Sequence, residues 1–177
     1  MENILINDKH FKRYLSSEDI ALTVSRMAAE ISRDYRESRP LFIAVLNGSF
    51  IFAADLLRKL DFNCELSFVK MASYENTQSS GNVKQLIGLK EDVSKRQIVI
   101  LEDIVETGKT MAAVRTSLAM QHPASLRIAS LFVKPQLFCE DFSVDYQGFE
   151  IPDHFIVGYG LDYNGHGRNL PDIYQIV

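Results

Sequence analysis

The stretch that most constrains the fold is QIVILEDIVETGKT, residues 97–110. An apolar run, Ile98, Val99, Ile100 and Leu101, passes directly into two adjacent carboxylates, Glu102 and Asp103. Two branched apolar residues follow, then a third carboxylate, Glu106, and the small polar run Thr107, Gly108, Lys109 and Thr110. The pattern reads as a buried strand, a charged elbow and a helix N-terminus. Such a terminus offers unpaired backbone N–H groups and the positive end of the helix dipole, which suits an anion such as phosphate. Carboxylates at the tip of a buried strand are costly unless something cationic meets them. A magnesium ion, a pair of sugar hydroxyls, or both, would meet them well.

The rest of the chain repeats this alternation. An S-x-x-D cap signal at Ser16 and Asp19 precedes Ile20, Val24, Met27, Ile31 and Tyr35 at helical spacing, an amphipathic scaffold helix. LFIAVL at 41–46 is a buried strand, broken by Asn47, Gly48 and Ser49 and followed by a second helix. A strand is expected at 64–71, then a polar loop, ASYENTQSSGNVK at 72–84, as a lid or binding loop with a pairing strand at 86–89. After the helix predicted at 109–121, LRIASLFV at 126–133 is another buried strand, ending at Lys134. Residues 136–152 read as a connecting loop and FIVGY at 155–159 as a last core strand, running into a glycine-rich segment with Asp162 and Arg168. Residues 1–15 suggest a short edge element.

This order predicts a single α/β domain over 1–177 with a mostly parallel central sheet flanked by helices. Ligands in such sheets sit beyond the carboxyl ends of the strands, so the polar breaks after Leu46, Leu101, Val133 and Tyr159 should converge on one cleft. Net charge is -4, and nothing global suggests a nucleic-acid or membrane partner. Cys64 and Cys139 form no C-x-x-C pair; both are expected in the core of a reduced, cytoplasmic protein. No signal peptide or membrane-spanning run is indicated.

The central unit is not a Walker A loop, and no G-x-G-x-x-G follows the strand. An acidic pair beside a hydroxyl-rich helix start suits a ligand with vicinal hydroxyls and a phosphate, in other words a ribose 5-phosphate. Glu102 and Asp103 would face the hydroxyls, directly or through water and magnesium.

ILEDIVETGKT resembles the phosphoribosyl pyrophosphate signature of the type I phosphoribosyltransferases. LNGSFIFAADLLRKL, the SY loop, SLFVKPQ and FIVGYGLDYNGHGRNLP are similar, in order and spacing, to the hypoxanthine-guanine branch of that family. The resemblance implies the family's fold, with a small hood and a flexible lid loop. It also implies a purine-salvage reaction: a 6-oxopurine displaces pyrophosphate from phosphoribosyl pyrophosphate with Mg2+, giving IMP or GMP. By resemblance, Glu102 and Asp103 hold the ribose hydroxyls and the metal, and Thr107, Gly108, Lys109 and Thr110 bind the 5-phosphate. Leu46, Asn47, Gly48 and Arg168 bind pyrophosphate, and Ser73 and Tyr74 sit on the lid. Lys134 donates to the purine 6-oxo group, Phe155 stacks on the base, Ile156 offers backbone groups, and Asp162 holds a second magnesium. A homodimer or homotetramer is implied.

Two departures stand out. Glu106 occupies the place of the family's usual aspartate near purine N7, one methylene longer, and is the candidate general base. Asn47 stands where many relatives carry lysine, which removes a positive charge from the pyrophosphate loop. Lys134 as a merely solvated lysine is the plain alternative to its assigned role, and His154, His166, Tyr159 and Tyr163 are read as packing or solvated residues. A non-catalytic phosphoribosyl pyrophosphate-binding regulator is the competing function. The absence of a basic stripe argues against it. A phosphoacceptor receiver domain would leave the SY loop, Lys134 and the GLDYN segment unexplained.

Overall fold

The structure is a computed structural model that describes residues 3–74 and 83–177. Two sheets make up the molecule. The larger runs in the order β5(Val83–Ile87), β4(Glu65–Tyr74), β3(Leu41–Val45), β6(Gln97–Val105), β7(Ser125–Val133), β8(Tyr146–Glu150). β4, β3, β6, β7 and β8 pair in parallel, and β5 closes the edge antiparallel to β4.

Strict alternation along the buried strands decides which helix meets which face. On β3, Phe42 and Ala44 join Val99 and Leu101 of β6 in a core under α1(Ser17–Tyr35) and α2(Phe50–Leu57). Leu41, Ile43 and Val45, with Ile98 and Ile100, point the other way and meet Met111, Val114 and Leu118 of α3(Lys109–Ala119). A central strand covered on both faces has no polar side, which is why 41–45 and 98–101 read as unbroken apolar runs. Each fully buried side chain of this size contributes roughly 1.5–3 kcal/mol. α1 starts where expected: the Ser16 side chain accepts from the Asp19 N–H, and the Asp19 carboxylate returns to the Ser16 N–H.

The smaller sheet, β1(Asn3–Ile6), β2(Lys9–Leu15), β10(Ile173–Ile176) and β9(Ile156–Val157), is the expected hood. It packs Ile6, Phe11, Val157 and Tyr174 into a core of its own. Within the expected edge element at 1–15, residues 3–15 thus supply a hairpin.

Three further expectations are corrected. The stretch 136–152 is not all loop, because it contains β8. That strand is an edge strand with a half-polar sequence, and the Arg26 guanidinium of α1 covers the carbonyls of Gln147 and Gly148 at 2.8 and 3.1 Å. FIVGY is not a strand of the central sheet. Only Ile156 and Val157 form a strand, which pairs in the hood, Gly158 bridges Leu161 instead, and the chain turns away at Tyr159, whose φ is 47°. Cys139 is exposed rather than in the core, because it lies on the loop after β7, with its N–H and thiol both directed at the Thr107 carbonyl.

Candidate active site

Parallel pairing brings the carboxyl ends of β3, β6 and β7 to one edge of the sheet, where many of the predicted site residues line two hollows; Lys109, Lys134, Phe155 and Ile156 line neither. The first cleft, of 390 Å³, is lined by Leu46, Asn47 and Gly48 after β3, by Glu102 and Asp103 on β6, by Thr110 of α3, by Lys70 and Met71 of β4, and by Asp162 and Arg168. The peptide bond between Leu46 and Asn47 is cis. The Leu46 N–H donates to the Val69 carbonyl at 2.8 Å, which ties this loop to β4. Gly48 lies so close against Asp103 that a β-carbon there would occupy the space of the carboxylate.

Arg168 is held on two sides. One nitrogen donates to the Gly160 carbonyl at 2.6 Å, and the other pairs with Asp162 at 2.6 Å. Asp162 in turn accepts from the Gly165 N–H at 2.6 Å. The pair expected to touch pyrophosphate and metal is therefore assembled as one unit beside the acidic strand tip.

Glu102 is buried, and its Oε2 has no hydrogen-bond partner among the described residues. Burial, and then the neighbouring Asp103 charge, push its carboxyl well above the usual range. Burial likewise pushes Asp103 up to about 6, against backbone N–H donors and the Arg168 charge that hold it down. A buried carboxylate oxygen without a donor is costly unless a ligand completes it. Among the described residues no group of three His, Cys, Asp or Glu side chains forms a cage for a metal. That suits magnesium, which keeps waters and substrate oxygens in its shell and takes only one or two carboxylates from the protein. Glu102 and Asp103, adjacent at the strand tip, are donors of that kind.

These shifts set a pH dependence. Between the ordinary aspartate value of 3.8 and about 6, folded Asp103 holds more protons than the unfolded chain does. Its contribution to stability therefore falls as pH rises through that window, by roughly 3 kcal/mol in the metal-free protein. Thermal melts of metal-free wild type and Asp103→Asn should show the wild-type Tm declining across the window relative to the variant.

A second hollow, of 110 Å³, adjoins the first through Glu102 and Thr110 and is lined also by Ile104, Val105, Glu106, Thr107, Gly108 and Met111. Gly108 takes φ 83° immediately before α3, a conformation suited to glycine. A β-carbon on it would also come within 2.8 Å of the Phe138 ring and 2.9 Å of the Glu140 side chain. The turn leaves the first N–H groups of α3 facing the hollow's side of the strand end, an anion cradle. Lys109 and Thr110 are exposed there.

Lys134 is buried, unlike a solvated lysine, and its ammonium meets the Glu106 carboxylate and, at 3.1 Å, that of Asp153. Its backbone N–H donates to the Val105 carbonyl at 2.9 Å, fixing the end of β7 against the turn of β6. Phe155 is 45% exposed, with its ring against Phe11 and Tyr163. Ile156 is buried in β9. Ser73 and Tyr74 end β4, opposite Lys84 and Val83, and their side chains fall outside the description, as do residues 75–82 of the expected lid. Tyr159 bonds the Asp55 carboxylate at 2.7 Å and Tyr163 bonds Asp8 at 2.9 Å, which are packing roles.

Two residues were missed from sequence. Asp153, the second partner of Lys134, carries no local signal. Lys70 falls one residue past the Val69 carbonyl that holds the Leu46 loop, and only the parallel register of β3 and β4 places it in the cleft.

Strand tip, anion cradle and acid-lined cleft together are the outline of an enzyme that handles a phosphorylated sugar. Residues 10–164 match the family model of the phosphoribosyl transferase domain. The chain belongs to the phosphoribosyltransferase family, in its hypoxanthine-guanine branch. It is 37% identical to the hypoxanthine-guanine phosphoribosyltransferase of Aquifex aeolicus, over 97% of each chain. With that of Bacillus subtilis it shares 40% identity over 92% of this chain and 91% of the relative. A crystal structure of a hypoxanthine-guanine phosphoribosyltransferase from Bacillus anthracis, with a HEPES molecule in its active site, superposes with a TM-score of 0.86. That structure is 34% identical, and the match covers 94% of this chain and 98% of the other.

Proposed function

We propose that this protein transfers the 5-phosphoribosyl group of phosphoribosyl pyrophosphate to a 6-oxopurine, giving IMP or GMP and pyrophosphate in purine salvage. The observation that carries the reading is the pairing of two adjoining hollows, one acidic with an unsatisfied Glu102 oxygen, the other an anion cradle, with a buried lysine paired to Glu106 on the wall of the second.

Each part has a task. Thr107, Gly108, Lys109 and Thr110 hold the 5-phosphate through backbone N–H groups and hydroxyls. Glu102 and Asp103 orient the ribose hydroxyls and stabilise positive charge growing at C1 as the bond to pyrophosphate breaks. Glu102 and Asp103 would hold one magnesium and Asp162 would help hold a second, and the bound metal would neutralise charge on the departing pyrophosphate. Leu46, Asn47, Gly48 and Arg168 form the pyrophosphate side. Phe155 stacks on the base, Ile156 offers backbone groups to its edge, and Lys134 donates to its 6-oxo oxygen. Glu106, held beside Lys134, accepts the proton at N7. Ser73 and Tyr74 belong to a lid that excludes water. The whole chain works as one domain, in the cytoplasm, as a homodimer or homotetramer.

The test is a spectrophotometric turnover assay with phosphoribosyl pyrophosphate and magnesium, offered hypoxanthine, guanine, xanthine and adenine separately. Nucleotide should form from 6-oxopurines and not from adenine, whose 6-amine cannot accept from Lys134. Binding of phosphoribosyl pyrophosphate without turnover of any base would make the protein a regulator instead.

A further inference from the structure

The first cleft is short of positive charge for the ligand assigned to it. Glu102, Asp103 and Asp162 all line it. Of its two cations, Arg168 is committed to Asp162 and to the Gly160 carbonyl. Asn47 on the loop is neutral. The other cation is Lys70, which makes no hydrogen bond or ion pair with any described residue. It is exposed, and it follows directly on Val69, whose carbonyl accepts from the Leu46 N–H. Strand alternation puts Lys70 on the face opposite buried Val69, and Lys70 lines the cleft. A four-carbon stem ending in three rotatable donors suits a mobile, multiply charged phosphate group.

We propose that Lys70 is a pyrophosphate-binding residue of this site, supplying from β4 the charge that Asn47 does not supply from the loop. The inference rests on the reading of the cleft as a pyrophosphate site. Lys70 engages the diphosphate of phosphoribosyl pyrophosphate and holds it until it departs as the product pyrophosphate. It makes no contact with the base or the 5-phosphate, which lie toward the second hollow.

The test compares wild type, Lys70→Gln, and Lys70→Gln combined with Asn47→Lys, each as the full chain. Calorimetry in the presence of magnesium measures binding of inorganic pyrophosphate, and separately of IMP. Lys70→Gln should weaken pyrophosphate about tenfold, the effect of losing one charge-assisted contact. The KM for phosphoribosyl pyrophosphate should rise alongside, with the KM for hypoxanthine unchanged. IMP affinity should hold, since IMP carries no pyrophosphate. Adding Asn47→Lys should restore most of the loss. Pyrophosphate binding by Lys70→Gln within about twofold of wild type, or an equal loss of IMP binding, would overturn the proposal. Wild type that binds pyrophosphate but turns over no base would sink the transferase reading, while the same comparison still decides Lys70. Wild type that binds no pyrophosphate would overturn both.

Discussion

Glu106→Gln should lower kcat for hypoxanthine and guanine by about 10²–10⁴-fold, the usual worth of a positioned proton acceptor. The substitution keeps the length of the side chain and leaves an oxygen able to accept from Lys134, so the local packing survives. What it removes is basicity at the atom proposed to face N7. Glu106 lies on the wall of the second hollow, away from Asn47, Asp162 and Arg168, so the KM for phosphoribosyl pyrophosphate should stay near that of wild type. Glu106→Asp separates reach from basicity. It retains the carboxylate but shortens it by one methylene, and should keep kcat within about tenfold of wild type if a modest shift of the base restores the contact. Single-turnover kinetics with preformed enzyme and phosphoribosyl pyrophosphate would isolate the chemical step. A Glu106→Gln rate within a few-fold of wild type would remove Glu106 from the reaction and leave it as the partner that holds Lys134.

The elements that build this site were legible to different degrees, for physical reasons. β3 and β6 are covered on both faces, so their sequences are continuous apolar runs, and the polar residues at their ends mark the cleft unambiguously. The acidic pair was legible because Glu102 sits where an apolar residue would otherwise be buried. Lys134 could be placed at a strand end but not judged buried, since its partners Glu106 and Asp153 come from 28 and 19 residues away in the chain. β8 was missed because an edge strand with one wet side carries no unbroken apolar run. The hood was foreseen only through family resemblance. It pairs β2 with β10, a pairing of high sequence separation that periodicity cannot register. Lys70 escaped for a similar reason, since a lysine on a strand is ordinary until the neighbouring strand's loop is known.

Gly48→Ala should abolish most activity while leaving a folded protein. A β-carbon at 48 would fall within the Asp103 carboxylate, and one of the two must move. The loop is pinned from behind, because Gly160 packs so tightly on the Gly48 carbonyl that it too has no room for a side chain. Loop retreat is therefore blocked, and Asp103 has to swing away from the ribose side of the cleft. Displacing a positioning group by about 1 Å can cost on the order of 10²-fold in rate. Here both the ribose carboxylate and the pyrophosphate loop are disturbed, so kcat/KM for phosphoribosyl pyrophosphate should fall by at least that amount, with binding of the purine product's base edge less affected. Gly160→Ala pushes the same loop from the other side without touching Asp103, and should raise the KM for phosphoribosyl pyrophosphate as well. Measured together by steady-state kinetics, the two variants separate the causes. Equal losses would place the effect in the loop, and a much larger loss in Gly48→Ala would place it in Asp103. Near-wild-type activity in both would mean that the close packing of Gly48, Gly160 and Asp103 does not hold the reacting geometry.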